Sequence, residues 1–167
     1  MRIATWNVNS LRSRIDRVEA LLQRHDLDVL ALQETKARED QLPLMGLQSL
    51  GYEVAAAGFD QWNGVAIISR VGLADVTVGF DGMPGWGESL TAEARALGAT
   101  CGDVRMWSLY VPNGRKPDDP HYVYKLDWLA RLIHSLVLTP GGGPDLGSTA
   151  SARRYAAAVV VPLLLGH

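Results

Sequence analysis

Two polar side chains, Asn7 and Glu34, each follow a short apolar segment at a point where a strand is predicted to end. Adjacent strands of a sheet lie about 4.8 Å apart, so two parallel neighbours would bring these side chains together. Amide and carboxylate oxygens are ligands that a hard cation such as Mg2+ prefers, and open α/β sheets bind ligands at this edge. The alternative is that Asn7 caps a turn and Glu34 is a solvated loop acid, which the spacing alone favours.

A second candidate group lies near the end of a later predicted strand, where Tyr110 precedes Asn113 and Arg115. The phenol and the amide donate hydrogen bonds and the guanidinium supplies positive charge, so the three side chains could hold an anionic group. The alternative is a half-buried strand tyrosine followed by an ordinary Pro-Asn-Gly turn. For this segment taken alone, the alternative is the better interpretation.

Basic side chains are scattered along the same predicted loops. If the strand ends converge, they would form a local patch able to bind phosphate groups, and otherwise they are solvated surface. Trp62, in the sequence Trp-Asn-Gly, would either contact a base or sugar or lie exposed in a hairpin turn. The basic residues concerned are Arg12, Arg14, Lys36, Arg38, Arg115, Lys116 and Lys125.

The composition limits the class of protein that can carry these groups. The chain has 167 residues, 47% of them hydrophobic, and a net charge of −2. This is enough for one domain with its own core, and it gives no global attraction to nucleic acid. The only cysteine, Cys101, cannot form an internal disulfide. The sequence lacks the apolar region of a signal peptide and an apolar run long enough to span a bilayer, so we expect a cytoplasmic protein.

The first elements are predicted to form a right-handed βαβ unit. Arg2–Asn7 contains β-forming residues, and Ser10 is the predicted N-cap of the helix that follows. Leu27–Leu32 then has the continuous apolar character of a buried strand. Because the two strands of such a unit are parallel, Asn7 and Glu34 leave the sheet at the same edge.

After a helix at about Gln41–Leu50, the pattern changes to short runs of β-forming residues separated by turns. This spacing predicts an antiparallel or mixed sheet rather than further βαβ units. A helix from about Tyr122 to Leu138 follows, with an apolar stripe at alternating steps of three and four residues. The predicted strands are Tyr52–Ala57, Val65–Ser69, Leu73–Phe80, Ala92–Thr100 and Val104–Val111, and the stripe is Leu126, Leu129, Ile133 and Leu136.

Four segments, taken together, resemble successive motifs of the exodeoxyribonuclease III and AP endonuclease family, which belongs to the endonuclease/exonuclease/phosphatase superfamily. They occur in the family's order, and the resemblance extends over about residues 1–138, including Tyr124–Leu129. The Gln-Glu-Thr-Lys and Asn-x-Asn-x-Leu-Arg motifs are specific enough to argue against the sphingomyelinase and inositol-phosphatase branches. The four segments are Thr5–Arg12, Leu32–Lys36, Trp62–Ile67 and Tyr110–Arg115.

The resemblance implies an α/β fold in which two sheets form a sandwich with helices outside. It also implies a monomeric nuclease of base excision repair that uses Mg2+, or Mn2+ in its place. Such a nuclease hydrolyses phosphodiester bonds of double-stranded DNA at abasic sites and from 3′ ends. By position, Glu34 resembles the metal ligand, Asn7 its neighbour at the metal site, and Tyr110 the catalytic tyrosine that contacts the scissile phosphate. The predicted DNA- and phosphate-binding residues are Asn113, Arg12, Lys36 and Arg115.

The family pattern stops near Leu138. The family's Gly-Asp-x-Asn and Ser-Asp-His motifs have no counterpart here, because Asp145 precedes Leu-Gly and no histidine follows Ser-Asp. We therefore expect an incomplete sandwich (residues 1–138) that lacks its C-terminal half. Residues 139–167, rich in glycine, proline and alanine, are predicted to be a poorly structured tail of the kind that out-of-frame translation produces. Two functions stay open: an exonuclease III-type nuclease, whose activity the missing groups put in doubt, or a non-catalytic remnant that at most binds Mg2+, DNA or a protein partner.

Overall fold

The computed structural model describes residues 1–87 and 92–135. The chain divides into two units, of which the first comprises Met1–Gly79 and Glu93–Tyr110 and the second comprises Phe80–Ala92 and Val111–His167. The predicted boundary after residue 138 and the predicted tail lie outside the described residues, so both stay predictions.

Strand β1 (Ile3–Asn7), helix α1 (Ile15–His25) and strand β2 (Val29–Gln33) follow one another in the first unit, as the sequence predicts. The two strands are parallel neighbours, and the last residue of β1, Asn7, is paired with the last residue of β2, Gln33. Both strands therefore end at one edge of the sheet, and the side chains of Asn7 and Glu34 lie at that edge.

The prediction that Ser10 caps the first helix is wrong. Helix α1 begins at Ile15, after Arg14, whose side chain makes no capping hydrogen bond. Ser10 instead has a positive φ of 83°, and its N–H donates to the carbonyl of Glu34 at 2.7 Å. This contact ties the backbone ahead of the helix to the residues that follow β2, so the helix starts about one turn later than the cap pattern indicates.

The remaining elements follow the predicted order, β4 with the predicted bounds and the others with bounds that differ, and the predicted helix end at Leu138 lies outside the described residues. The single helix predicted at Gln41–Leu50 is instead a 3-10 turn at Glu39–Gln41 and a short helix, because Leu42, which precedes Pro43, is extended (ψ 135°). The elements are α2 (Leu44–Ser49), β3 (Glu53–Ala57), β4 (Val65–Ser69), β5 (Ala74–Val78), β6 (Ala96–Cys101), β7 (Val104–Leu109) and α3 (Pro120–Ile133).

The strands form two sheets. Sheet A has the order β1-β2-β4-β3, with β4 antiparallel to both of its neighbours, and sheet B has the antiparallel order β5-β6-β7. Gly102 and Asp103 form the tight turn between β6 and β7, because Cys101 and Val104 are paired on either side of it. The expectation of an antiparallel or mixed sheet is confirmed, since sheet A is mixed and sheet B is antiparallel.

The first unit has three layers. One face of sheet A packs against α1 and α2 through buried residues that include Leu30, Ile68 and Leu22. Its other face packs against sheet B through a second cluster that includes Ile67 and Leu97. Strand β4 is buried along its whole length because it contributes side chains to both clusters. The predicted two-sheet α/β sandwich is therefore confirmed.

Helix α3, in the second unit, buries a different face from the one that the sequence predicts. The predicted stripe would bury Leu126 and Ile133, but these side chains are 50% and 58% exposed, and Leu136 lies outside the described residues. The buried residues recur every three or four positions on another side of the helix, where Trp128 packs edge-on against Phe80 with ring centroids 5.0 Å apart. They are His121, Tyr124, Trp128 and Leu132.

The only cysteine of the chain, Cys101, is a free thiol buried at the end of β6. Burial raises the pKa of this thiol above its ordinary value. Within residues 1–87 and 92–135, none of the helices combines the length and the apolar character that a bilayer-crossing segment needs.

Candidate active site

The ends of three strands converge on one carboxylate, that of Glu34. Asn7, the last residue of β1, donates its side-chain amide to Glu34 Oε1 at 2.7 Å. Tyr110, which follows β7 on the other sheet, donates its hydroxyl to the same oxygen at 3.0 Å, although it lies 76 residues away in the sequence. The structure therefore brings together the three residues for which the sequence predicts metal binding and catalysis.

A short stretch of strained backbone presents this carboxylate. Glu34 and Lys36 have positive φ values of 56° and 51°, a region that non-glycine residues seldom adopt and that is frequent at functional sites. Thr35, between them, is only 1% exposed, and its N–H donates to the carbonyl of Gly64 at 3.2 Å. This anchored residue fixes the directions in which the two flanking side chains point.

The Lys36 ammonium is directed at the same carboxylate. Its Nζ lies 3.0 Å from Glu34 Oε2 and donates to Asn9 Oδ1 at 2.6 Å. The side chains of Glu34 and Lys36 are 18% and 30% exposed, so the ion pair is partly shielded from water. The sequence predicts Lys36 as a phosphate-binding residue, whereas its charge in the structure is paired with that of Glu34.

These contacts set the protonation states of the site. Burial alone would raise the pKa of Glu34, but hydrogen bonds from Asn7, Lys36 and Tyr110 outweigh it and hold the pKa below its ordinary value. Burial and, after it, the negative charge of Glu34 raise the pKa of the Tyr110 hydroxyl. Near neutral pH, therefore, Glu34 is an ionised acceptor and Tyr110 a protonated donor.

The lowered pKa of Glu34 predicts a dependence of stability on pH. Because the folded-state pKa lies below the ordinary value of 4.5, the ionised carboxylate contributes stability above about pH 4.5, and this contribution is lost as the pH falls through the folded-state pKa. We expect Glu34→Gln to lower the free energy of unfolding at pH 7 and to have a smaller effect at pH 3, measured by urea denaturation. Glu53→Gln, at an exposed acid on β3, is the control, and an equal effect of Glu34→Gln at both pH values would contradict the prediction.

Arg95 and Glu93 support Tyr110, and neither was predicted from the sequence. The Tyr110 N–H donates to the Arg95 carbonyl at 2.7 Å, and the guanidinium of Arg95 lies over the Tyr110 ring, 4.9 Å from its centroid. Arg95 is only 5% exposed and pairs with Glu93 at 2.7 Å, and Glu93 also accepts a hydrogen bond from Asn63 at 2.8 Å. The sequence feature that could have indicated Arg95 is its position as a charged residue inside an apolar strand segment. A charged residue that is buried in such a segment requires a partner.

A polar link joins the two sheets directly beneath the site. Ser108 is fully buried and donates its hydroxyl to the carbonyl of Leu32 at 2.7 Å. Gln33 donates its side-chain amide to Ser108 Oγ at 3.2 Å and to Thr5 Oγ1 at 3.0 Å. Since β7 carries Ser108 two residues before Tyr110, this link fixes the position of the tyrosine relative to sheet A.

The other predicted residues have separate surroundings. Arg12 is exposed, and Arg38 pairs with Asp40 at 3.2 Å. Asn113 and Arg115 belong to the second unit, where Asn113 Oδ1 accepts a hydrogen bond from the Arg115 N–H at 2.8 Å. In the first unit, Trp62 is 62% exposed. This exposure agrees both with a contact to a base or sugar and with an exposed position in a hairpin turn.

The donor groups at Glu34 do not by themselves fit a divalent cation. Among residues 1–87 and 92–135, no three or more His, Cys, Asp or Glu side chains lie where they could hold a metal ion. Asn7 turns its amide nitrogen toward Glu34, and its oxygen faces the N–H of Asn9 at 3.3 Å. In the part of the chain that the structure describes, the one carboxylate at this site is already paired with Lys36, so it is not free to bind a divalent cation.

Comparison with known proteins identifies the family of this arrangement. Residues 4–158 match the endonuclease/exonuclease/phosphatase family. The chain is 28% identical over 137 residues to an exodeoxyribonuclease of Bacillus subtilis, covering 80% of this chain and 51% of that protein.

Two solved structures have the same fold. An AP endonuclease from Archaeoglobus fulgidus matches with a TM-score of 0.74 and 39% identity, covering 83% of this chain and 52% of that one. The 3′ phosphatase NExo from Neisseria, bound to a product DNA hairpin, matches with a TM-score of 0.74 and 37% identity, covering 81% and 51%. The chain spans about half the length of these relatives. It belongs to the endonuclease/exonuclease/phosphatase family.

Proposed function

We propose that this chain is part of an exonuclease III-type nuclease whose reaction is the hydrolysis of phosphodiester bonds in DNA. The observation that supports this most directly is the hydrogen bond between Tyr110 and Glu34, which joins two sheets and two distant motifs of a nuclease family at one point. The similarity to an AP endonuclease and to a 3′ phosphatase bound to DNA supports DNA as the substrate. The proposed targets are abasic sites and 3′ ends of double-stranded DNA, in base excision repair.

The described residues can bind and orient such a substrate. Tyr110 is protonated, but its one hydroxyl hydrogen is donated to Glu34, so it would have to turn from Glu34 to a phosphate oxygen to stabilise the charge that develops there. Glu34 is ionised, and the hydrogen bonds from Asn7 and Tyr110 fix its orientation. Glu34 is the residue that would hold Mg2+ (or Mn2+) once its pairing with Lys36 is broken, and the ion would supply polarisation of phosphoryl oxygens and an activated water. Its remaining ligands would be water molecules and oxygens of the substrate phosphate, with which Mg2+ usually completes its coordination.

Binding of DNA by this chain has to rely on local charge, because the net charge is −2. Arg12 lies exposed in the segment between β1 and α1, and Asn113 and Arg115 are proposed contacts in the second unit. We propose that the protein acts as a monomer, as the resemblance to exonuclease III implies, and that it acts in the cytoplasm.

Incision of an abasic duplex tests the nuclease proposal. The complete 167-residue chain is incubated with Mg2+ and a labelled duplex that carries one abasic site, and an undamaged duplex is the substrate control. We expect cleavage at the abasic site that disappears with EDTA and in the Glu34→Gln variant. A missing general acid or base costs about 10²- to 10⁴-fold in rate, so the rate should fall at least about 10²-fold below that of the Archaeoglobus AP endonuclease.

A non-catalytic function is the second candidate, and the pairing of Glu34 with Lys36 favours it. In that case the chain binds duplex DNA, measured by fluorescence anisotropy, without yielding a cleaved product. Folded chain that binds but leaves the abasic duplex intact at long incubation would therefore contradict the nuclease proposal for this chain. Cleavage that depends on Glu34 would contradict the non-catalytic candidate.

A further inference from the structure

We propose that Lys36 is a tethered cation that takes the position of a divalent metal beside Glu34, so that metal binding at this carboxylate requires displacement of Lys36. The inference concerns the site of the proposed function. It does not require that the chain cleave DNA, and its test measures metal binding, so the two proposals can fail separately.

The ligands of the ammonium carry the first part of the inference. Lys36 Nζ lies 3.0 Å from a carboxylate oxygen of Glu34 and 2.6 Å from the amide oxygen of Asn9. Carboxylate and amide oxygens are the donors that a hard divalent cation would use at the same place. The ammonium therefore competes with a metal ion for the same oxygen atoms.

The backbone holds the lysine in this position. Lys36 and Asn9 both have positive φ values, of 51° and 44°. The N–H of Lys36 donates to the carbonyl of Asn63 at 3.0 Å, and Arg14 donates a guanidinium N–H to the carbonyl of Asn9. The ammonium is thus attached to a fixed backbone two residues from the carboxylate, so its local concentration is high whatever the ionic composition of the solution.

The net charge of the Glu34–Lys36 pair is the third observation that supports the inference. The pair of Glu34 and Lys36 has no net charge, so a dication that approaches it meets no net attraction. The part of the chain that the structure describes brings no further group of acidic side chains that could hold a metal there. Removing the lysine charge would leave a single negative charge and two free oxygen acceptors, which is a weak but accessible site for a divalent cation.

Manganese binding to the complete chain tests the proposal. The loss of the electron paramagnetic resonance signal of free Mn2+ on titration gives Kd without any nuclease activity. We expect Lys36→Met to lower Kd about ten-fold relative to the original chain. Lys36→Arg, which keeps the positive charge, should bind as weakly as the original chain, and the double variant Lys36→Met/Glu34→Gln should lose the gain.

The outcomes separate the proposal from a purely structural ion pair. Far-UV circular dichroism establishes that each variant is folded, and Lys36→Gln serves as a second neutral variant where Lys36→Met is not. A gain in Mn2+ affinity that depends on Glu34 supports the proposal. The proposal is overturned if the neutral variants and the original chain have equal affinity for Mn2+, whether all of them bind or none does. It is also overturned if the gain in Mn2+ affinity persists in the variant that lacks the Glu34 carboxylate.

Discussion

Gly64→Ala is expected to lower the free energy of unfolding by about 3 kcal/mol, from two costs of about 1–2 kcal/mol each. Gly64 has a φ of 89°, which an alanine adopts only with backbone strain. A Cβ added there would overlap with Thr35 Oγ1 and lie 3.3 Å from Lys36 N. Urea denaturation followed by circular dichroism measures the change.

The clash cannot be relieved by a simple side-chain movement. Thr35 is 1% exposed, and its N–H donates to the Gly64 carbonyl, while the Gly64 N–H donates to the Ala94 carbonyl at 3.0 Å. Room for a methyl group therefore requires a shift of the backbone that carries Glu34 and Lys36. We expect the variant to perturb the site as well as the stability, with the pKa of Glu34 moving back toward its ordinary value.

Gly51→Ala is the matched control because it imposes a similar strain without the clash. Gly51 has a φ of 82°, and nothing lies within 4 Å of the position that its Cβ would occupy. This variant should cost about 1 kcal/mol, which is the backbone contribution alone. If the two glycine variants were equally destabilised, the close approach of Gly64 to Thr35 would make no contribution to the loss in free energy of unfolding.

The meeting of Asn7 and Glu34 could be predicted from the sequence because it depends on local order. A strand, a helix and a second strand in succession give parallel neighbours, and the paired ends of β1 and β2 follow from that arrangement. The position of Tyr110 beside Glu34 depends on how sheet B packs on sheet A, through contacts such as the hydrogen bond from Ser108 to the Leu32 carbonyl. No periodicity in the sequence encodes that register, and only the family resemblance placed the tyrosine at the site.

Other features of the site depend on backbone conformations that residue types do not reveal. Ser10 has the residue type of a helix cap, but its N–H is taken by the carbonyl of Glu34. Lys36 has the residue type of a phosphate-binding group, but its positive φ helps to direct the ammonium at Glu34. Arg95 could have been noted as a charge within an apolar strand, although its partners could not be named.

The error on helix α3 has a different cause. The helix has two apolar stripes, one of aliphatic residues and one that contains Tyr124 and Trp128, and periodicity is equal for both. The choice between them depends on what lies against the helix, here the ring of Phe80 and, through Tyr124, that of Trp86. Aromatic side chains bury more apolar area than leucine, so the aromatic stripe gains more from facing this cluster.

Trp128→Ala tests this assignment and is expected to lower the free energy of unfolding of the second unit by about 3–5 kcal/mol, because the ring is fully buried. Leu126→Ala, on the stripe that the sequence predicts, should cost less than about 1 kcal/mol because the side chain is 50% exposed. Thermal denaturation monitored at 222 nm compares the two variants.

Trp128→Phe separates the contribution of the ring from that of its N–H. Within the described residues, the buried Nε1 of Trp128 has no hydrogen-bond partner, so the phenylalanine variant loses packing volume and no hydrogen bond. We expect a cost well below that of Trp128→Ala, about 1–2 kcal/mol. A larger loss for Leu126→Ala than for Trp128→Ala would instead place the aliphatic stripe in the core, and the packing of α3 in the second unit would have to be reversed.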